Sequence, residues 1–154
     1  MPTARGVRMM TIHEHTDATP KTKSLIFKEK FLTKPGQFVM VWVPGVDEFP
    51  MSASHTVPRF GITYQVLGPG TKALAAMKPG QRLGIRGPYG KGFTLRGRSI
   101  LGVAGGAGMA PLAPLLELAI TKGMSVSLVL GARNADELLF ERRMTDAGVK
   151  VYVS

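Results

Sequence analysis

The stretch SILGVAGGAGMAP, residues 99–111, decides the fold of the second half of the chain. Its first six residues, Ser99–Ala104, are almost continuously apolar, which is typical of a parallel strand buried on both faces. A glycine loop over Gly105–Gly108 follows, and a helix is expected from Met109 to Lys122. A strand, a glycine loop and a helix in this order place free backbone N–H groups at the positive end of a helix, where a phosphate group binds.

The residues after this helix repeat the same alternation of strand and helix. Ser125–Leu130 predicts a second strand and Val149–Val153 a third, and between them Asn134 and Glu137 form a capping-box pattern for a helix that ends at Gly148. The order β-α-β-α-β predicts a parallel sheet with right-handed crossovers, whose ligands bind beyond the carboxyl ends of the strands. Three segments are expected at that edge: Gly105–Gly108, Gly131–Arg133 and Ser154.

The first half of the chain has a different pattern, with short apolar runs separated by Gly and Pro turns. The sequence contains 19 Gly and 11 Pro residues, which favours many short strands over a helical bundle. One short helical pattern, TKALAAMK, lies between Gly70 and Pro79, with Thr71 placed to cap it. The fold class expected is a small antiparallel Greek-key β-barrel at residues 1–97, followed by a partial α/β parallel-sheet nucleotide-binding domain at 98–154. Five strands are predicted in the barrel: Val7–Thr16, Thr22–Glu29, Gln37–Val43, Phe60–Leu67 and Gln81–Arg86.

Composition excludes several classes of protein. The 154 residues include no cysteine, so this chain has no thiol for a disulfide, a thiolate metal site or an iron–sulfur cluster. The three histidines are too scattered in the sequence to predict a metal site. The chain contains neither the run of about 18 apolar residues of a membrane helix nor the apolar region of a secretory signal, so we expect a cytoplasmic protein that does not bind membranes.

The net charge of +10 favours a nucleic acid, a phosphorylated ligand or an acidic protein as a partner. One cluster of basic residues lies between Lys21 and Lys34 and another between Arg82 and Arg98. The basic runs contain no ladder of aromatic side chains on which the bases of a single strand would stack, which argues against nucleic acid. Charge alone does not choose among these partners or exclude an ordinary basic surface.

Four segments contain residues suited to binding a nucleotide or a flavin. The glycine loop is described above, and Gly68–Lys72 (GPGTK) places a glycine, a hydroxyl and a lysine before a helix. The others are Phe49–Ser52 (FPMS) and the glycine-dense Gly87–Phe93 (GPYGKGF). Each of these segments alone is also explained by an ordinary turn, cap or strand end.

Together and in this order, the four segments resemble the ferredoxin–NADP⁺ reductase superfamily. Within it, the chain is most similar to the electron-transfer subunits of dihydroorotate dehydrogenase, with GGAGMAPL, GPYGKGF and the ending LVLGARNADELLF as the shared stretches. The resemblance extends from about Arg5 to Ser154. It implies an FAD-binding barrel, a nearby site for NAD(H) or NADP(H), and electron transfer to a partner redox subunit in pyrimidine biosynthesis.

The resemblance also implies roles for particular residues. Ser52 would lie near the flavin N5 as the catalytic residue, and Pro50 and Met51 would contact the isoalloxazine ring. Gly70 and Thr71 would bind the flavin phosphate. The remaining residues that it places at the cofactors are Thr63, Tyr64, Gln65 and Val66 beside the flavin and its ribityl chain, and Gly105, Gly106 and Gly108 near the nicotinamide nucleotide.

Several departures from this family leave alternatives open. Phe49 is found where many relatives have an arginine that contacts phosphate. The cysteine-rich segment that holds a [2Fe–2S] cluster and the later strands of the nucleotide domain are missing from this sequence, which looks like a truncated or split member that another chain would complete. A flavin-binding docking module without turnover, a reductase subunit of a sulfide dehydrogenase or hydrogenase, and a basic nucleic-acid-binding protein are the other hypotheses. Arg133 does not decide between NADH and NADPH.

Overall fold

The computed structural model describes residues 6–154, and Arg5, where the resemblance begins, lies outside them. Six antiparallel strands form a closed barrel in the order β1-β2-β5-β4-β3-β6, and three parallel strands form a second sheet in the order β7-β8-β9. This architecture confirms the predicted fold class. The strands are β1 Arg8–Asp17, β2 Thr22–Phe27, β3 Phe38–Val43, β4 Asp47–His55, β5 Gly61–Gln65, β6 Arg82–Tyr89, β7 Ser99–Gly105, β8 Ser125–Gly131 and β9 Lys150–Val153; the helices are α1 Pro69–Ala75, α2 Met109–Thr121 and α3 Glu141–Ala147.

The barrel encloses its own apolar core. Phe60 is buried in this core, with its ring centroid 5.5 Å from that of Phe27 and 4.8 Å from that of Phe31. Alternate residues of β3, Val39 and Val41, also point inward and are fully buried. This alternation is the period of two expected of a strand with one buried face.

Strand β4 is missing from the five strands predicted for the barrel. Pro50 lies in the middle of β4 and has no backbone N–H group to donate to a neighbouring strand. The structure tolerates it because β4 pairs with β3 along Asp47–Ser52, whereas β5 pairs only with Ala53 and His55. The side of β4 that faces away from β3 is therefore open at Pro50.

The second sheet is covered on one face within the described residues. Helix α2 and helix α3 both pack on the side of β8 where Val126, Leu128 and Leu130 are buried. Consecutive right-handed crossovers in the order β7-β8-β9 put both helices on that same side. The prediction that Ser99–Ala104 is buried on both faces is wrong, because Leu101 and Val103 on the other face are 64% and 68% exposed.

Two helix predictions are also corrected. The pattern from Asn134 to Gly148 predicts one helix, but the structure has a 3₁₀ turn at Ala135–Glu137 and begins α3 only at Glu141. The break allows Leu139 to enter the core and turns Phe140 to a φ of +63°. The sequence predicts that Thr71 caps the short helix, but in the structure Gly68 is the N-cap of α1 and Thr71 is its third residue.

Contacts between the barrel and the second sheet join the two parts. The Arg143 guanidinium of α3 donates hydrogen bonds to Glu117 of α2 at 2.6 and 3.0 Å. It also donates to the backbone oxygen of Ser54 in β4 at 2.9 Å. The same guanidinium lies 4.6 Å from the centre of the Phe140 ring. These contacts fix the end of β4 against α2. None of the helices within residues 6–154 is long and apolar enough to cross a membrane.

Candidate functional site

A cleft of about 470 Å³ lies along the open side of β4. Its walls come from the two barrel strands β4 and β5, from the start of α1 and from the start of α2. It therefore lies where the barrel meets the second sheet. The residues that line it are Asp47, Phe49, Pro50, Met51, Ser52, Thr63, Tyr64, Gln65, Leu67, Gly68, Pro69, Gly70, Thr71, Ala107, Ala110 and Pro111.

Strand β4 presents alternate side chains to this cleft. Pro50 and Ser52 are exposed on the outer surface of the barrel. Phe49 and Met51 point the other way and pack partly against the barrel core. Pro50 and Ser52, two of the predicted flavin contacts, therefore form an open surface on which a flat ring can lie.

The start of α1 has backbone groups suited to phosphate. The first N–H groups of a helix have no partner within it, and Pro69 has none to offer, so Gly70 and Thr71 are the first donors here. The Thr71 hydroxyl accepts hydrogen bonds from the N–H groups of Leu67 at 2.8 Å and Gly68 at 3.0 Å. Thr71 therefore orders the loop that leads into the helix.

Gly70 is held tightly against β4. A Cβ atom at this position would lie 2.7 Å from Cε1 of Phe49 and 3.3 Å from the Asp47 carboxylate. Glycine is thus needed for the close packing of α1 on the Phe49 ring. Phe49 therefore supports the helix from below and offers no charge to the cleft.

The hydroxyl group of Thr63 belongs to a buried network. It donates a hydrogen bond to Ser54 at 2.8 Å and lies 2.7 Å from the hydroxyl of Ser24, so the three side chains link β2, β5 and β4. The network fixes the floor of the cleft. At Thr63 the structure shows a rigid support whose hydroxyl is already engaged by the protein.

Tyr64 lines the cleft along β5, but its side chain points into the barrel. Its hydroxyl lies 2.8 Å from Nε2 of His15, whose Nδ1 lies 2.7 Å from the backbone oxygen of Met77. Because a carbonyl oxygen only accepts, His15 carries a proton on Nδ1, and its Nε2 accepts from Tyr64 when the ring is neutral. Burial raises the pKa of Tyr64, with the nearby Asp17 charge adding to the effect.

A second cavity of about 790 Å³ adjoins the first, and Gln65 and Leu67 line both. It lies at the carboxyl ends of β7 and β8, where Gly105, Gly106 and Gly131 leave the backbone accessible. The predicted residue Val66 lines this cavity and not the first. Gly108 lies outside both linings and is the N-cap of α2.

Basic side chains from both parts of the molecule surround the second cavity. Lys21 comes from the β1–β2 turn, Lys23 comes from β2, where it pairs with Asp17 at 2.6 Å, and Arg133 follows β8. Lys21 forms an ion pair of 2.8 Å with Glu137, which spans the entrance between the barrel and the sheet. That hydrogen bond lowers the pKa of the Glu137 carboxyl. In the sequence, these lysines are distinguished only as part of a basic run.

The two adjoining cavities fit a flavin on the barrel and a nucleotide at the sheet edge. The first offers an open flat surface with N–H donors at one end, and the second offers glycine backbone and positive charge. Within residues 6–154, no group of three or more His, Asp or Glu side chains lies together.

Comparison with known proteins identifies relatives along nearly the whole chain. It is 46% identical over 140 residues to a protein of Methanocella arvoryzae named "Probable dihydroorotate dehydrogenase B (NAD(+)), electron transfer subunit". A protein of Methanothermobacter thermautotrophicus with the same name is 45% identical over 148 residues. The alignments cover 90% and 93% of this chain but 53% and 55% of the relatives, so the chain spans about half their length. No family model matches the chain.

Solved structures confirm the fold. An NADH-dependent reduced ferredoxin–NADP oxidoreductase matches with a TM-score of 0.84 and 24% identity, over 96% of this chain and 57% of that one. Phthalate dioxygenase reductase matches with a TM-score of 0.81 and 18% identity, over 97% and 52% of the two chains. The resemblance to dihydroorotate dehydrogenase electron-transfer subunits is therefore confirmed, and the solved reductases share the fold of this chain.

Proposed function

We propose that this chain binds FAD in the barrel cleft and a pyridine nucleotide at the glycine edge, and transfers electrons between that nucleotide and a partner redox subunit. The observation that carries the proposal is the meeting of the two cavities at Gln65 and Leu67. Two sites that share a wall allow a nicotinamide and a flavin to approach each other. The names of the relatives support dihydroorotate dehydrogenase as the partner and pyrimidine biosynthesis as the pathway.

The chain's own residues would bind and orient the cofactor. The N–H groups of Gly70 and Thr71 would hold the flavin phosphate, and the outward side chains of Pro50 and Ser52 would contact the ring. These residues would hold FAD, which would supply hydride acceptance from a nicotinamide and stepwise release of electrons. The buried Ser24–Thr63–Ser54 network would keep the supporting strands rigid.

The second cavity would bind the nucleotide through its phosphates. Gly105 and Gly106 allow close approach to the backbone, while Lys21, Lys23 and Arg133 supply positive charge at the entrance. The same charges suit the diphosphate of NADH and the additional 2′-phosphate of NADPH. Reduction by NADH and reduction by NADPH therefore have to be measured separately.

Anaerobic stopped-flow reduction of the FAD-loaded protein tests the proposal. NADH or NADPH is expected to bleach the flavin band, and Ser52→Ala is expected to slow the bleaching about 10-fold or more while FAD stays bound. Ser99→Ala is the matched control, because Ser99 is exposed at the far end of β7. An unchanged rate for Ser52→Ala removes the catalytic role of Ser52. Retained flavin that neither nucleotide reduces would favour the docking module without turnover.

Adding the dihydroorotate dehydrogenase catalytic subunit of the same organism tests the partner. Electrons from NADH are expected to reach that subunit only when the FAD-loaded chain is present. Reduction of the flavin without transfer to this subunit would favour a reductase subunit of another redox complex.

A further inference from the structure

The outer surface of the barrel carries an apolar stripe beside the flavin cleft. Phe38, Met40 and Trp42 point outward from β3, and Phe38 and Trp42 are 38% and 37% exposed. The ring centroid of Tyr89, on β6, lies 5.5 Å from that of Phe38. Single exposed apolar residues are common on protein surfaces, but a contiguous run of aromatic residues and methionine is typical of interfaces.

Gly84 allows the stripe to continue across β6. Because it has no Cβ, Trp42 and Val7 close over its backbone, and each has an atom 2.7 Å from where a Cβ would lie. The stripe therefore consists of Val7, Trp42, Met40, Phe38 and Tyr89. Trp42 is the only tryptophan of the sequence, and tryptophan contributes strongly to binding when an interface covers it.

The charges around the stripe are mainly positive. Arg82 and Arg86 lie on the outer face of β6, on either side of Gly84. Arg86 donates hydrogen bonds to Glu48, one of them at 3.0 Å, so that this pair spans β3. Lys34 and Lys91 are exposed beside the Phe38 end, where a Cβ atom on Gly90 would lie 3.9 Å from the Phe38 ring. A protein surface with carboxylates around an apolar centre would complement this rim.

The stripe borders the flavin cleft directly. In the β3–β4 pair, Phe38 lies opposite Ser52 and Met40 lies opposite Pro50. Ser52 and Pro50 are the two outward residues that line the cleft. A protein bound on the stripe would therefore lie one strand away from the proposed flavin site.

We propose that the stripe is the docking surface for the redox partner of this chain, a protein with an apolar contact surface surrounded by carboxylates. The inference rests on the proposed function, because the stripe's position matters only if the cleft binds a flavin. The apolar centre would supply the affinity, and the basic rim would steer the approach of the partner.

Binding of the same organism's dihydroorotate dehydrogenase catalytic subunit to the FAD-loaded protein tests this inference. Phe38→Ser is expected to weaken the measured affinity at least about 10-fold, as expected for loss of a buried aromatic contact. The double variant Arg82→Glu/Lys91→Glu changes only exposed side chains, and it should slow association at low salt and remove most of its salt dependence. Leu101→Ser is the matched control because Leu101 is exposed on the open face of the second sheet.

The outcomes separate the docking surface from the proposed function. Unchanged binding by both Phe38→Ser and Arg82→Glu/Lys91→Glu overturns the docking surface but leaves the proposed electron transfer intact. Weaker binding by Leu101→Ser alone has the same consequence. A wild-type protein that binds FAD and is reduced by NADH but does not bind this subunit also overturns it. Sedimentation showing a wild-type dimer that Phe38→Ser dissociates would assign the stripe to a second copy of this chain instead. Failure to bind FAD, in contrast, overturns the proposed function itself.

Discussion

The barrel and the parallel sheet bury their apolar side chains in different ways. The barrel closes on itself and shields Phe60 and its neighbours from every side. The sheet has helices on one face within residues 6–154, and its other face exposes Leu101, Val103 and Tyr152. A closed barrel provides a rigid surface for a cofactor, whereas the sheet depends on its contacts with the barrel. The difference predicts which substitutions will be costly.

The largest effect is expected in the barrel core. Phe60→Ala removes an aromatic side chain that is 1% exposed and contacts two other aromatic rings, so it should lower the free energy of unfolding by about 3–5 kcal/mol. Urea denaturation measures the change, with Val57→Ala as the exposed control. A loss below about 1 kcal/mol would show that the barrel core is not as tightly packed as the structure has it.

The next largest effect is expected on FAD binding at the start of α1. Gly70→Val forces a side chain against the Phe49 ring and moves the N–H donors of α1, so FAD affinity should fall about 100-fold. Isothermal titration with FAD measures this. Ala76→Val, at the exposed C-terminal end of the same helix, should leave FAD affinity within about two-fold. Equal losses in the two variants would mean that the helix start has no special role.

A pH-dependent effect probes the contact between the two parts. Burial and the nearby Arg143 charge lower the pKa of His55 to about 3, and its ring meets that of Phe140 edge-on at 5.6 Å. The unfolded chain takes up the proton below about pH 6.5, so stability that is present above this pH is lost progressively as the pH falls toward 3. From pH 7 to 5 the loss should be about 2 kcal/mol.

Urea denaturation at several pH values measures this slope. His55→Gln should flatten it between pH 7 and 5, a range that lies above the ordinary titration of the carboxylates. His13→Gln, on the exposed part of β1, is the control and should keep the wild-type slope. A wild-type protein whose stability does not change over this range would show that His55 is not shielded by the contact between barrel and sheet.

The smallest effect is expected on the open face of the sheet. Leu101→Ser changes a side chain that is 64% exposed and should alter the free energy of unfolding by about 0.5 kcal/mol or less. A loss above about 2 kcal/mol would show that this face is covered in solution and would remove the contrast with the barrel.

The sequence predicts the two parts of the fold because each has its own pattern. Short apolar runs between turns indicate the barrel, and the order of strands and helices after residue 98 indicates the parallel sheet. Strand β4 is not predicted from the sequence because a proline argues against a paired strand. Pro50 is tolerated because β5 does not pair with β4 at this position. The helix expected from Asn134 is interrupted because the packing of Leu139 and Phe140 outweighs the local capping pattern.

The candidate site was only partly predictable for the same reason. Motifs place Ser52, Gly70 and Gly105 near cofactors, but they do not show which side chains point inward. Tyr64 enters the barrel core, and the phosphate-site motif does not reveal that Phe49 supports α1. Lys21 and Lys23 line the second cavity together with the sheet edge only because the barrel packs on the sheet. Such contacts between distant segments leave no local pattern in a sequence.

The proposed flavin and nucleotide sites are tested most directly by the visible absorption spectrum of the protein after incubation with FAD and gel filtration, recorded anaerobically before and after NADH is added. We expect a retained flavin spectrum, with bands near the usual flavin positions, that bleaches when NADH is added. A protein that emerges without flavin would contradict the assignment of the barrel cleft. Retained flavin that neither NADH nor NADPH bleaches would contradict the assignment of the glycine edge as the nucleotide site.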